Sequence, residues 1–154
     1  MIAPGDDIDR LMAVMQAAFD PAFGEAWNRR QVEDALLLGH SHYALLAAHG
    51  GPPSVGEPAA AFFLCRHGFE EEELLLLAVD PAHRRKGLAA ALLDQLALDA
   101  KSRGAARLLL EMRAENPAES LYRGHGFEPI GRRPQYYRSP TGERLDAVTF
   151  AKDL

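Results

Sequence analysis

Apolar residues recur at helical spacing at Ile8, Leu11, Met12, Met15 and Phe19, which predicts a first helix that Asp6 or Asp7 can cap. Asp20-Pro21-Ala22-Phe23-Gly24 breaks it, and a second helix is predicted from about Asn28 to Leu38, stopping near Gly39. Between them lie Phe23 and Trp27, apolar loop residues that either plug the core or line a groove. The period then changes. Residues 42–48 and 58–66 read as strands, parted by a Gly- and Pro-rich turn from Gly50 to Ser54, and His67-Gly68 mark a hairpin-like turn. Leu74 to Val79 is an unbroken apolar run of the kind a buried strand shows; Asp80-Pro81 stops it, because proline has no amide proton to give a sheet. Leucines and alanines predict a helix from about Arg85 to Ser102, with Arg103-Gly104 as its C-terminal stop. Arg107 to Arg113 reads as another strand, and Pro117 to Arg123 as a short helix ended by Gly124 and Gly126. Phe127 to Tyr136 and Asp146 to Lys152 read as a closing antiparallel pair around Ser139-Pro140-Thr141-Gly142. Helix, helix, three strands, helix, strand, helix and two strands predict an α/β fold, a mixed sheet with helices on both faces.

At 154 residues the chain is expected to form one domain, 1–154, burying roughly two-thirds of its unfolded surface. Hydrophobic content of 47% and charged content of 25% are those of a soluble globular protein. A net charge of −5 argues against nucleic acid as a partner and weakly favours a cationic one. The one cysteine, Cys65, can form no internal disulfide, which fits a reducing, cytoplasmic compartment. Its neighbours Phe62 to Leu64 are apolar, so an inert core thiol is expected. Asp6, Asp7 and Asp9 stand where a signal peptide would need basic and then apolar residues. No apolar run approaches the roughly 20 residues that span a bilayer, so no membrane partner is expected.

Chemistry concentrates where the apolar run ends. After Val79 come His83-Arg84-Arg85-Lys86, then Gly87, then a helix. The first turn of a helix carries amide protons without partners and the positive end of the dipole. Arg84, Arg85 and Lys86 add charge there, while Gly87 and Ala89 keep side chains out of an anion's way. The loop is not a phosphate-binding P-loop, since no Lys-Ser or Lys-Thr follows, nor the three-glycine dinucleotide fingerprint. Alone, such a turn is equally a solvated strand–helix connection. Glu111 interrupts the apolar residues Leu108 to Met112 on a strand that should be mostly buried. A carboxylate there needs a task or a partner, such as Arg113 or another arginine. Tyr122 is either a functional phenol or a core aromatic. Glu70 to Glu73 could hold a catalytic carboxylate; the preferred reading is a solvated strand end that discourages edge pairing.

The spacing Arg84-x-x-Gly87-x-Ala89 after a strand resembles the acetyl-CoA loop of the GNAT family of N-acetyltransferases. LLLEMRAENPAESLYRGHGF, residues 108–127, is similar to the second half of the GNAT core. RRPQYYRSPTGERLDAVTF, residues 132–150, and AFDPAFGEAW, residues 18–27, resemble more narrowly the branch that acetylates the N-terminal alanine of a ribosomal protein. The likeness departs in two places: helix signals begin by residue 6, where a first strand is usual, and Glu111 to Tyr122 is one residue short.

The resemblance implies a mixed, mostly antiparallel sheet splayed at the cofactor site. Leu77, Ala78 and Val79 would pair with the pantetheine arm like an extra strand, the Val79 amide stabilising the oxyanion. Arg84, Arg85, Lys86, Gly87, Leu88, Ala89 and Ala90 would hold the pyrophosphate, and Asn116 would touch the cofactor near its thiol. Glu111 would be the general base and Tyr122 the general acid. Acetyl-CoA is the implied cosubstrate, with direct transfer in a ternary complex and no metal; Cys65 would be a spectator. The implied partner is a protein or peptide N-terminus, ribosomal in the narrower likeness. Acceptor choice would lie around residues 20–27 and 134–145, where Tyr136 and Tyr137 either cover the acceptor's first residue or alternate in and out of a strand. Two alternatives stay open: an acetyltransferase of a small amine, and a CoA-binding module without turnover.

Overall fold

The computed structural model describes residues 5–20, 24–139 and 141–154. Helix α1 spans Gly5–Ala18, with Asp6 and Asp7 in its first turn, where the dipole favours carboxylates. Its stripe Ile8, Leu11, Met12, Val14 and Met15 is buried. Phe23 lies outside the described residues. Helix α2, Arg29–Leu37, opens on a capping box in which the Asn28 side chain accepts from the Gln31 amide and the Gln31 side chain accepts from the Asn28 amide.

Six strands follow: β1 Ser41–Leu46, β2 Ala61–His67, β3 Glu71–Val79, β4 Arg107–Arg113, β5 Glu128–Arg138 and β6 Arg144–Asp153. Helix α3, Leu88–Ser102, connects β3 to β4, and the short α4, Glu119–Gly124, connects β4 to β5. One sheet results, in the order β1-β2-β3-β4-β6-β5. Among the described residues, only the β3–β4 pair is parallel. The α3 face buries Phe63, Leu92, Leu96, Leu108, Phe127 and Phe150; the other face buries Leu11, Met15, Val32, Phe62 and Leu64 beneath α1 and α2. Two apolar layers on one sheet are what the mixed α/β pattern requires.

The element that positions the site is β3. Leu64 on β2 pairs with Leu76, but the next residue, Cys65, pairs with Leu74. Leu75 is therefore one residue too many, a β-bulge, and it changes the phase of the strand. Before it, Glu72 and Leu74 face the α3 side; after it, Leu76 and Ala78 face α1. The parallel ladder to β4 runs only from Glu71↔Arg107 to Leu74↔Leu110 and ends at the bulge. Beyond that point β3 and β4 part.

Two expectations need correction. The helix predicted from Arg85 begins at Leu88, because Arg85 (φ 65°) and Gly87 (φ 77°) are both left-handed and cannot continue a right-handed helix. The Glu70–Glu73 run is not a solvated end on an edge strand, since β3 is central. Glu72 is fully buried, bound by Arg103 from the end of α3 at 2.8 Å (Nε to Oε1) and 2.5 Å (Nη2 to Oε2). The Cys65 thiol donates to its Oε2 at 3.2 Å, so this cysteine is a buried core group as expected. Glu71 and Glu73 pair at the surface with Arg107 and Arg66.

Candidate active site

Where β3 and β4 part, the sheet opens into a cleft of about 860 Å³. This is the volume range of small-molecule and cofactor sites. One wall is the second half of β3, Leu75 to Val79, whose side towards β4 lacks the ladder that Glu71 to Leu74 make. An extended amide chain could add there as a strand does to a sheet edge.

The start of α3 forms one end. Gly87 is its N-cap and supplies no side-chain cap, and the first turn holds no acidic residue. At the cap, the Ala91 N–H donates to the Gly87 carbonyl at 3.0 Å. The amides of Leu88, Ala89 and Ala90 precede it in the orphan turn. A Cβ at Gly87 would meet nothing within 4 Å, so glycine is needed here for its φ of 77° and not for space. Arg84 and Arg85 line the cleft beside these amides, and so does His83. Lys86 does not: it is exposed, with Nζ 3.1 Å from His83 Nδ1.

The other end carries the ionisable groups. Glu111 stands on β4 opposite Thr149, with the Thr149 hydroxyl 3.5 Å from Oε2. The same oxygen lies 3.1 Å from Arg133 Nη2 on β5. The expected arginine partner thus exists, but it is Arg133 and not Arg113. Arg113 instead meets Glu25, at the start of α2's approach loop, at 3.5 Å. Tyr122 comes from α4, is buried, and packs edge-to-face on Phe127 with ring centroids 5.7 Å apart. Burial, and then the nearby Glu25 carboxylate, push its phenol up to about 12. It holds its proton across the neutral range.

Of the sequence-predicted residues, Leu77, Ala78, Val79, Arg84, Arg85, Gly87, Leu88, Ala89, Ala90, Glu111, Asn116 and Tyr122 all line this one cleft; Lys86 alone does not. Asn116 also accepts from the Ala118 amide at 2.9 Å, which shapes the turn into α4. Trp27 lines the cleft and packs on the α1-side core, so it takes both of its expected roles. Tyr136 and Tyr137 line it together, edge to face at 5.1 Å, rather than one in and one out. Glu25 and Arg133 were missed, because each acts through a partner far away in sequence; Arg113 was considered only as a partner for Glu111. Among the described residues, no group of three or more His, Cys, Asp or Glu could hold a metal ion, and no helix is long and apolar enough to cross a membrane.

A split sheet with a helix N-terminus at one end of the gap is the architecture of an acyl-CoA-dependent transferase. The acetyltransferase (GNAT) domain matches residues 40–129, more than half of the sequence, and the chain belongs to that family. Within it, the chain is 41% identical over 92 residues to the ribosomal protein bS18-alanine N-acetyltransferase of Haemophilus ducreyi, covering 59% of this chain and 63% of that protein. The Escherichia coli K12 protein of the same name is 41% identical over 93 residues, 60% of this chain and 62% of its own. The matched stretch spans less than two thirds of these relatives' length. The fold superposes on the ribosomal-protein-S18-alanine N-acetyltransferase of E. coli with a TM-score of 0.81 at 29% identity, covering 99% of this chain and 91% of that one.

Proposed function

We propose that residues 1–154 form one domain of a cytoplasmic enzyme that acetylates the α-amino group of a protein N-terminus. The acceptor we propose is the N-terminal alanine of ribosomal protein bS18, on which its 41%-identical relatives are named as acting. The observation that carries the reading is the ladder that stops at Leu74 and Leu110: it opens one cleft with an uncapped helix start at one end and Glu111 and Tyr122 at the other.

The residues suit acetyl-CoA. Its pyrophosphate would meet the amides of Leu88 to Ala90 between Arg84 and Arg85, and its amide arm would lie along Leu77 to Val79. The coenzyme supplies an acetyl group activated as a thioester. The chain's task is then to orient the acceptor and move two protons. An α-amine has a pKa of about 7.7–8.0 and lysine one near 10.4, so near pH 7.5 roughly a third of α-amines are already neutral against about a thousandth of lysines. Glu111 therefore need only take a proton relayed through water. The Val79 amide would face the thioester carbonyl oxygen, where charge develops. Tyr122, kept protonated by burial, would offer its O–H to the departing sulfur. Trp27, Tyr136 and Tyr137 flank the acceptor end and select what enters.

A substrate panel read by CoA release tests the reading. A short peptide beginning with alanine should turn over, while the same peptide with a blocked N-terminus and free small amines should not. Turnover of a free amine with the alanine peptide ignored would end the proposal. Glu111→Gln should lower kcat by about 100-fold, in the range that general acid–base groups contribute.

A further inference from the structure

Arg133 joins two parts of the site that are otherwise separate. Its Nη2 lies 3.1 Å from Glu111 Oε2, and its guanidinium carbon sits 4.8 Å from the centroid of the Tyr136 ring. Tyr136 in turn contacts Tyr137, and both line the acceptor end of the cleft. Glu111 is on β4 and the two tyrosines are on β5, with β6 between the strands. An arginine pair at the surface, with a side chain as exposed as this one at 60%, ordinarily contributes little to stability. Its interest lies in what the two ends touch.

We propose that Arg133 is a positioning residue for Glu111, aligning the carboxylate and tying that alignment to the tyrosine pair that covers the acceptor. This rests on Glu111 being the base. The contacts from Arg133 and Thr149 both fall on Oε2. With that oxygen held, Oε1 is the atom left to receive the acceptor's proton through water. A guanidinium suits the role because its plane can lie on an aromatic face while its edge N–H groups reach a carboxylate. Seating an acceptor against Tyr136 would then act on the base through a single side chain.

The test is a double-mutant cycle on the intact enzyme, with kcat and KM measured for the alanine peptide. Arg133→Met should lower kcat about tenfold with acceptor KM moving less than about threefold. In the Glu111→Gln background the same change should cost less than about twofold, because no carboxylate remains to align. Arg133→Lys keeps the charge but not the planar contact with Tyr136, so its kcat should fall between those of Arg133→Met and wild type. Equal losses in both backgrounds would overturn the inference while leaving Glu111 as the base. Wild-type kcat in Glu111→Gln would instead remove the base itself, and the positioning role with it. A purely structural role for Arg133 predicts equal losses in both backgrounds, so the cycle separates the two.

Discussion

Replacing Arg103 with alanine should destabilise the protein more than any change to the carboxylate it binds. Glu72 is fully buried in the centre of the sheet, and Arg103 holds both of its oxygens, at 2.8 and 2.5 Å. Without the guanidinium, a carboxylate is left buried with the Cys65 thiol as its remaining hydrogen-bond donor among the described residues and His42 nearby. Breaking a buried pair in this way costs about 3–5 kcal/mol. Arg103 is 26% exposed, so water screens part of the interaction and the lower end, about 3 kcal/mol, applies. For a chain of this size that lowers Tm by roughly 9 °C, at about 3 °C per kcal/mol. Glu72→Gln should cost less, about 1–2 kcal/mol, since it leaves no buried charge and Arg103 can turn to solvent. Urea titration of both variants is the assay. An Arg103→Ala loss below about 1 kcal/mol, or one smaller than that of Glu72→Gln, would refute the reasoning.

The same pair has a pH signature. Burial by itself would push Glu72 up, but the hydrogen bonds from Arg103 and Cys65 and the Arg103 charge outweigh it and hold the carboxyl below the usual glutamate range. A carboxyl lowered on folding stabilises the native state above its unfolded pKa of about 4.3, and that contribution is lost as pH falls through the lower, folded value. The gap between wild type and Arg103→Ala should therefore be full at neutral pH and begin to narrow above about pH 4.3, because the variant's unpaired carboxylate, raised by burial, takes up its proton before the wild-type one does.

Three further outcomes follow from the same geometry. Tyr122→Phe should lower kcat about 100-fold and leave acetyl-CoA binding by calorimetry unchanged, because the ring stays packed on Phe127 and only the proton donor is lost. Gly87→Ala should cost about 1 kcal/mol of stability from the left-handed φ alone and weaken acetyl-CoA binding, since nothing lies where the new methyl would stand; stability and binding both equal to wild type would contradict the role given to that turn. Burial and the neighbouring Glu72 carboxylate push the Cys65 thiol up, so iodoacetamide should label it only after urea unfolding; fast labelling of the native enzyme would contradict its place in the core.

Much of this was legible in the residues. The strand Arg107–Arg113 falls where its pattern puts it, and the helix order and both covered faces match. Local signals carried these elements: helical spacing in α1, Gly39 after α2, Pro81 as a stop. The cleft residues were legible because a loop motif and two side chains in a GNAT-like stretch point to one place. What escaped is whatever depends on distant partners. Four leucines in a row, Leu74 to Leu77, hide the phase change at Leu75, because any phase of such a run looks equally apolar. Glu72 resembled its three acidic neighbours, since nothing nearby signals that Arg103 returns to it 31 residues later. Arg133 is 22 residues from Glu111 and separated from it by a helix, and only the β5–β6–β4 order brings them together.

The surplus residue in β3 has an evolutionary corollary. Excising Leu75 would cost the α1-side layer one half-buried side chain but leave strand order and the flanking helices with no reason to change, while β3 and β4 could zip onward past Leu74 and Leu110 and shut the gap. A catalyst and an inert look-alike of the same shape would then differ by one codon. In a lineage that keeps this architecture, an in-frame deletion there is a short route to silence without misfolding.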